Sequence, residues 1–163
     1  MQPIKFTVYG LAQSAGSKRA MPIYRKGANG RQLVTRANGS PVIAVVDDNA
    51  KSRDWKNAVA SAARQAYSGE LLRGPIEVHF VFFRPRPKGH FGSGKNATVI
   101  KASAEPYPIT KPDVLKLARG AEDAITGVCW LDDAQIVDEL ISKRYGEPAR
   151  VEIEITPLGE EAK

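Results

Sequence analysis

TKPDVLKLARGAEDAITGVCWLDDAQ, residues Thr110 to Gln135, decides how this chain is read. With Asp113 at zero on a helical wheel of about 100° per residue, Val114, Leu117, Ala118, Ala121, Ala124 and Ile125 fill one arc of roughly 120°. That arc predicts a buried helix face. Lys116, Arg119 and Asp123 lie together on the opposite side, Asp113 sits at the border, and Leu115 falls outside the apolar arc beside Arg119. Thr110 fits an N-cap with Pro112 in the first turn, and Gly127 fits the stop, so the helix is expected from Thr110 to about Thr126. Just beyond it stands the pair Asp132-Asp133.

Working outward, Ile4, Phe6 and Val8 alternate and predict a first strand ending near Gly10. Residues 11–41 read as a basic loop with a hairpin, and Pro41 to Val46 as a short strand. Asp47 to Ser68 reads as a helix, with Trp55, Val59, Ala62, Ala63 and Ala66 at helical spacing and Asp48 or Asn49 as cap. Ile76 to Phe83 alternates and then turns fully apolar, which suits a central strand. Residues 84–109 form a long loop, and a loop of that length inside a compact domain is usually functional or mobile. Ala134 to Tyr145 carries signals for both helix and strand and is read as a strand; Val151, Ile153 and Ile155 alternate with glutamates in a last strand. This order predicts an α+β fold: one small domain over residues 1–163, a mixed sheet and two main helices. The acidic motif spans 110–135.

The totals exclude several classes. No apolar run approaches a membrane span, and MQPIKFTVYG lacks signal-peptide anatomy, so a cytoplasmic location without membrane contact is expected. One cysteine, Cys129, between Val128 and Trp130, reads as a small buried hydrophobe; with two histidines in the chain, a zinc site is disfavoured. No Walker A spacing is present, which argues against a nucleotide cofactor. Trp55 and Trp130 read as core. Net charge is +6, but its distribution says more: residues 1–46 hold seven Lys or Arg and no acid. A second acid-free stretch, Val78 to Ala104, contains Arg84, Arg86, Lys88, Lys95 and Lys101. Two basic segments can form a nucleic-acid footprint, with Lys18, Arg19, Arg25 and Lys26 in one and His90, Lys95 and Asn96 in a Gly-rich part of the other. Solubility and loop charge account for them equally well.

Asp113, Asp123, Asp132 and Asp133 fall within 21 residues of this basic chain. Oxygen ligands of that kind suit Mg²⁺ held against a phosphate, and so phosphodiester hydrolysis, with Lys116 or Arg119 beside the phosphate. Structural roles remain open at each position: Asp113 as part of a cap, Arg119 and Asp123 as an i,i+4 ion pair, and Asp132-Asp133 as a turn. Geometry adds a constraint. Asp113 to Thr126 spans about 20 Å of helix, and Thr126 to Asp133 reaches at most about 23–25 Å when extended. Asp113 and Asp133 therefore meet in one chain only if residues 127–133 run back nearly straight; otherwise they meet across a dimer or share no metal.

The pattern KPDVLKLARGAEDAITGVCWLDDAQIV, with PD, DA, the DD pair and the following AQIV at their spacing, resembles the RusA family of Holliday junction resolvases, common in phages and prophages. Weaker similarity runs through the opening strand, Ser17-Lys18-Arg19, the Trp55 helix and His90 to Asn96. The resemblance implies an intertwined homodimeric α+β endonuclease that binds four-way DNA junctions and nicks two symmetry-related strands with Mg²⁺, Mn²⁺ being the alternative. It implies Asp113 as first catalytic aspartate, Asp132 and Asp133 as the acidic pair, and Arg119 where the family commonly has a catalytic lysine. The family's second aspartate, two residues after the first, aligns with Leu115, so a branched-DNA-binding protein with weak or no cleavage is the alternative.

Overall fold

The computed structural model describes residues 2–15, 18–28, 30–47 and 50–159. Asp48, Asn49 and Ser17, singled out in the sequence, lie outside them. One four-stranded sheet carries the core, ordered β1 (Ile4–Tyr9), β8 (Arg150–Pro157), β6 (Ile76–Arg84), β7 (Ile136–Tyr145). β8 runs antiparallel to both β1 and β6, whereas β6 and β7 are parallel, so the sheet is mixed as expected. Ile4 and Val8, Ile76 to Phe82 at every second residue, and Val151, Ile153 and Ile155 are buried on one face. Period-two alternation produces that face directly. Trp55 and Trp130 are both buried in the same core.

Two helices cover it. In α1 (Ala50–Ala66), Trp55, Val59 and Ala63 turn inward. In α2 (Val114–Ile125), Leu117, Ala118, Ala121, Ala124 and Ile125 are buried, the arc expected from the wheel. Gly120 is buried too: a Cβ there would lie 3.2 Å from the Gln13 carbonyl oxygen, because residues 11–15 cross the helix and Ala15 N–H donates to the Lys116 carbonyl at 2.9 Å.

The start of α2 differs from the expectation. Asp113, not Thr110, is its N-cap, with extended φ −66° and ψ 142°, and Pro112 precedes the helix after a cis peptide. The residue before a proline disfavours helical dihedrals, so Lys111 cannot be a first helical residue. The end agrees: Thr126 is the C-cap, and Gly127 takes φ +75°, where a side chain is strained.

β6, α2 and β7 form a βαβ unit, the crossover that parallel neighbours require. Its two connections lie at opposite ends of the strands by topology. The first, residues 85–113, delivers Asp113; the second, residues 126–135, delivers Asp132 and Asp133.

Residues 18–47 form a basic ribbon apart from that sheet. β2 (Lys18–Pro22) pairs with β5 (Ile43–Asp47), and β3 (Tyr24–Gly27) pairs with β4 (Gly30–Leu33). Most of its described side chains are exposed, including Met21, Tyr24, Leu33, Ile43 and Val45. The long segment after β6 is folded rather than open. Two short 3-10 turns form at Lys88–His90 and Gly94–Asn96. Phe91 pairs with Ile100, and Lys101 N–H donates to the His90 carbonyl at 2.9 Å. No helix among the described residues is long and apolar enough to cross a membrane.

Candidate functional site

The βαβ topology divides the predicted acids between two clefts, one at each end of α2. The first, about 380 Å³, is lined by Leu11 to Ser14, Arg84, Lys111, Pro112, Asp113 and Lys116. Asp113 is exposed and makes no side-chain cap hydrogen bond. Its nearest cation is Lys116, 3.7 Å away, with both side chains about 60% exposed (62% and 60%). At that exposure the pair contributes well under about 1 kcal/mol. The segment that carries Asp113 is held more firmly from β7. The Lys143 ammonium donates to the Thr110 carbonyl at 2.8 Å and the Pro112 carbonyl at 2.9 Å. Its pKa is lowered, first by burial and then by the neighbouring Arg84, against the opposing pull of Asp113.

The second cleft, about 410 Å³, is lined by Glu122, Asp133, Ala134, Ile136, Val137, Asp138 and Glu139. Here the acids crowd. Glu122 has its pKa raised from 4.5 to about 7, first by burial, then by a hydrogen bond and charge repulsion from Glu139, then by the charges of Asp123 and Asp133. A register shift between Ile76 and Glu77 sets Val78 opposite Glu139, so Glu139 shares the helix-covered face with buried Val78. Neither Glu122 nor Glu139 was singled out in the sequence. The usable signal for Glu122 was its wheel position beside Ala118 at the edge of the apolar arc; the register shift that puts the exposed Glu139 on the helix side of the sheet has no signature in the sequence.

Asp133 enters the second cleft's rim through a short 3-10 turn, Asp133–Gln135, which Asp132 caps. Asp132 accepts from the Ala134 N–H at 2.9 Å, and Gln135 completes a capping box. The Gln135 amide also ties the turn to the core. Its oxygen accepts from Leu131 and Asp132 N–H, and its nitrogen donates to the Leu72 and Gly74 carbonyls, each at 2.9 Å. Asp123 does not form the expected i,i+4 pair with Arg119. It pairs with Lys56 of α1 at 2.8 Å, and Arg119 remains exposed on α2.

Asp113 and Asp133 therefore do not meet within one chain. The helix alone holds Asp113 about 14 Å from Glu122, which shares its cleft with Asp133. Among the described residues, no group of three His, Cys, Asp or Glu stands close enough to hold a metal ion.

The expected DNA-contacting residues fall in three places. Lys18 and Arg19 lie in β2, and Arg25 and Lys26 in β3, with Arg19, Arg25 and Lys26 exposed on the ribbon. Arg31 of β4 stands over the Tyr24 ring at 5.4 Å. His90 lies at the Asp113 end of the sheet, its ring 5.5 Å from that of Tyr145, which Arg86 covers at 4.4 Å. Lys95 and Asn96 are exposed in the second 3-10 turn of the long loop. Cys129 is buried, and burial pushes its thiol pKa up to about 11, as expected of an inert core residue.

Comparison with known proteins adds two findings. Residues 25–156 match the family described as "Endodeoxyribonuclease RusA", a span that takes in both clefts from Arg84 onward and most of the ribbon. A protein of Bacillus subtilis (strain 168), titled "Uncharacterized protein YqaN", is 35% identical over 158 residues, covering 95% of this chain and 96% of its own length.

Proposed function

This chain belongs to the RusA endodeoxyribonuclease family, and from that premise we propose that it nicks four-way DNA junctions, with Mg²⁺, as a homodimer. The observation that carries the reading is the setting of Asp113. The motif that delivers it lies inside the matched span, and it opens into a cleft lined by Arg84, Lys111 and Lys116. A carboxylate among cations is suited to a phosphodiester, whose charge the cations offset while the acid works beside them.

The residues fit a hard cation only as two half-sites. Mg²⁺ takes one or two carboxylates, water and phosphate oxygens. Asp113 supplies one carboxylate at one end of α2; Asp133 supplies one at the other, beside Glu122 and Glu139 and with Asp132 holding the turn. A metal shared by Asp113 and Asp133 therefore requires two chains, which is the reason for assigning a dimer. When bound, Mg²⁺, or Mn²⁺ in its place, supplies an acidified water and charge neutralisation at the phosphate. The chain's own residues do the rest. Lys143 fixes the Thr110–Pro112 backbone, Lys116 and Arg119 offer charge along α2, and Arg19, Arg25 and Lys26 of the ribbon, with Lys18, meet backbone phosphates. His90, Lys95 and Asn96 extend that footprint from the long loop.

The test is a synthetic four-way junction with and without Mg²⁺. Paired, symmetric nicks that depend on the metal are expected; cleavage of linear duplex at the same rate, or cleavage unaffected by chelation, overturns the reading. One observation favours a second reading. Leu115, where the family has an acid, is 69% exposed on α2 and offers no ligand. Tight junction binding without nicks in either metal supports a branched-DNA-binding protein instead.

A further inference from the structure

Four cations face a single carboxylate in the Asp113 cleft. Arg84, Lys111 and Lys116 line it, and Lys143 reaches it from β7. Four positive groups against one acid leave a formal excess of three charges. Two of the four are already committed. Lys143 uses two of its three N–H donors on the Thr110 and Pro112 carbonyls, and Lys116 leans on Asp113. Arg84 is different. It ends β6, is half-buried, and its guanidinium meets no carboxylate or hydrogen-bond acceptor among the described residues. It nevertheless stands near enough to Lys143 to act on that amine.

A guanidinium cannot relieve such crowding by losing a proton. Five planar donors held at a cleft wall without an acceptor make a receptor for a planar or tetrahedral oxyanion, and arginine binds phosphate through two parallel hydrogen bonds. We propose that Arg84 receives a DNA backbone phosphate beside Asp113, with Lys111 as its exposed partner, while Lys143 is the positioning residue that aims the Asp113 segment. This deepens the DNA-cleaving reading and rests on it: the phosphate is that of the strand Asp113 acts on.

The roles separate experimentally. For Arg84→Gln, the slope of log binding constant against log salt on a four-way junction should become shallower by about one, because one phosphate contact is lost. Nicking should fall at least tenfold. Arg84→Lys keeps the charge and should restore the slope but only part of the nicking, because the fork is gone. Lys143→Met should leave the salt slope unchanged and lower kcat with little change in KM, since its charge is spent on backbone carbonyls. Melting curves establish that each variant is folded. An Arg84→Gln protein with wild-type slope and wild-type nicking overturns the proposal.

A wild-type protein that neither binds nor nicks the junction overturns the reading beneath it. The cleft is then judged on inorganic phosphate, titrated while the amide signals of Gln13, Ser14, Lys111 and Lys116 are followed by NMR. Saturable shifts that Arg84→Gln removes support an anion site at Arg84, and no saturable shift in the wild type overturns it.

Discussion

Glu122 of α2 and Glu139 of β7 meet in the second cleft, close enough that a proton kept by Glu122 can be shared with Glu139. Burial is the larger reason that Glu122 keeps it, and the charges of Glu139, Asp123 and Asp133 add to the effect.

Stability should therefore fall as pH rises. The folded pKa of Glu122, about 7, lies above its ordinary 4.5, so between those values the folded chain binds more protons than the unfolded one. The penalty is absent below about pH 4.5 and complete above about pH 7. After allowance for solvent screening of a half-buried group beside an exposed one, it is on the order of 1–2 kcal/mol. Urea midpoints measured from pH 5 to 8 should drop in the wild type and stay flatter in Glu122→Gln; an identical slope in the two proteins counts against the shared proton.

Asp113→Asn and Asp133→Asn should each lower junction nicking by about 100-fold or more while junction binding persists, since neither change removes a cation. In the proposed homodimer, mixing the two variants distinguishes a site shared between chains. If Asp113 of one copy works with Asp133 of the other, a mixed dimer retains one intact site and nicks one strand. If each chain works alone, the mixture is as inactive as its parts.

Gln135→Ala should cost about 2–4 kcal/mol of unfolding free energy. It deletes four hydrogen bonds, two from the Leu131 and Asp132 N–H groups within the turn and two to the Leu72 and Gly74 carbonyls, and takes the side-chain donor from the Gly74 carbonyl. A thermal melt shifted by less than a degree would mean that water replaces the amide without loss.

Leu115→Asp should leave stability within about 0.5 kcal/mol, because the side chain is 69% exposed. Nicking should rise, and half-maximal nicking should come at lower Mg²⁺. An unchanged rate and metal dependence would show that the position is dispensable in this chain.

Much of the fold was legible because burial and period coincide. The alternation of Ile4, Phe6 and Val8, the apolar run Ile76 to Phe83 and the wheel of α2 each name the face that ends up inside. The start of α2 differs from the expectation although part of the signal is present: Pro112 commits Lys111 to an extended backbone, which rules out Thr110 as the cap, and Asp113 is the next residue with a capping side chain. The partner of Asp123 was not legible. Local spacing points to Arg119, but Lys56, 67 residues away, lies closer in space. The division of the acids was half legible. Helix length already kept Asp113 and Asp133 apart unless the chain doubled straight back, but only the parallel pairing of β6 and β7 places them at opposite ends. Glu139 was hidden for another reason. One register shift beside Ile76 decides which β7 side chains face the helix.

The two clefts also set opposite charges at the two ends of α2, positive at Asp113's end and negative at Glu122's. In the field of a polyanion such a particle experiences a torque as well as an attraction. On the proposed reading DNA draws the Arg84 end of each chain toward it, and the acidic end faces a phosphate only once a metal ion or the partner chain offsets its charge. The bias fades as ions shorten the range over which the two ends can be told apart.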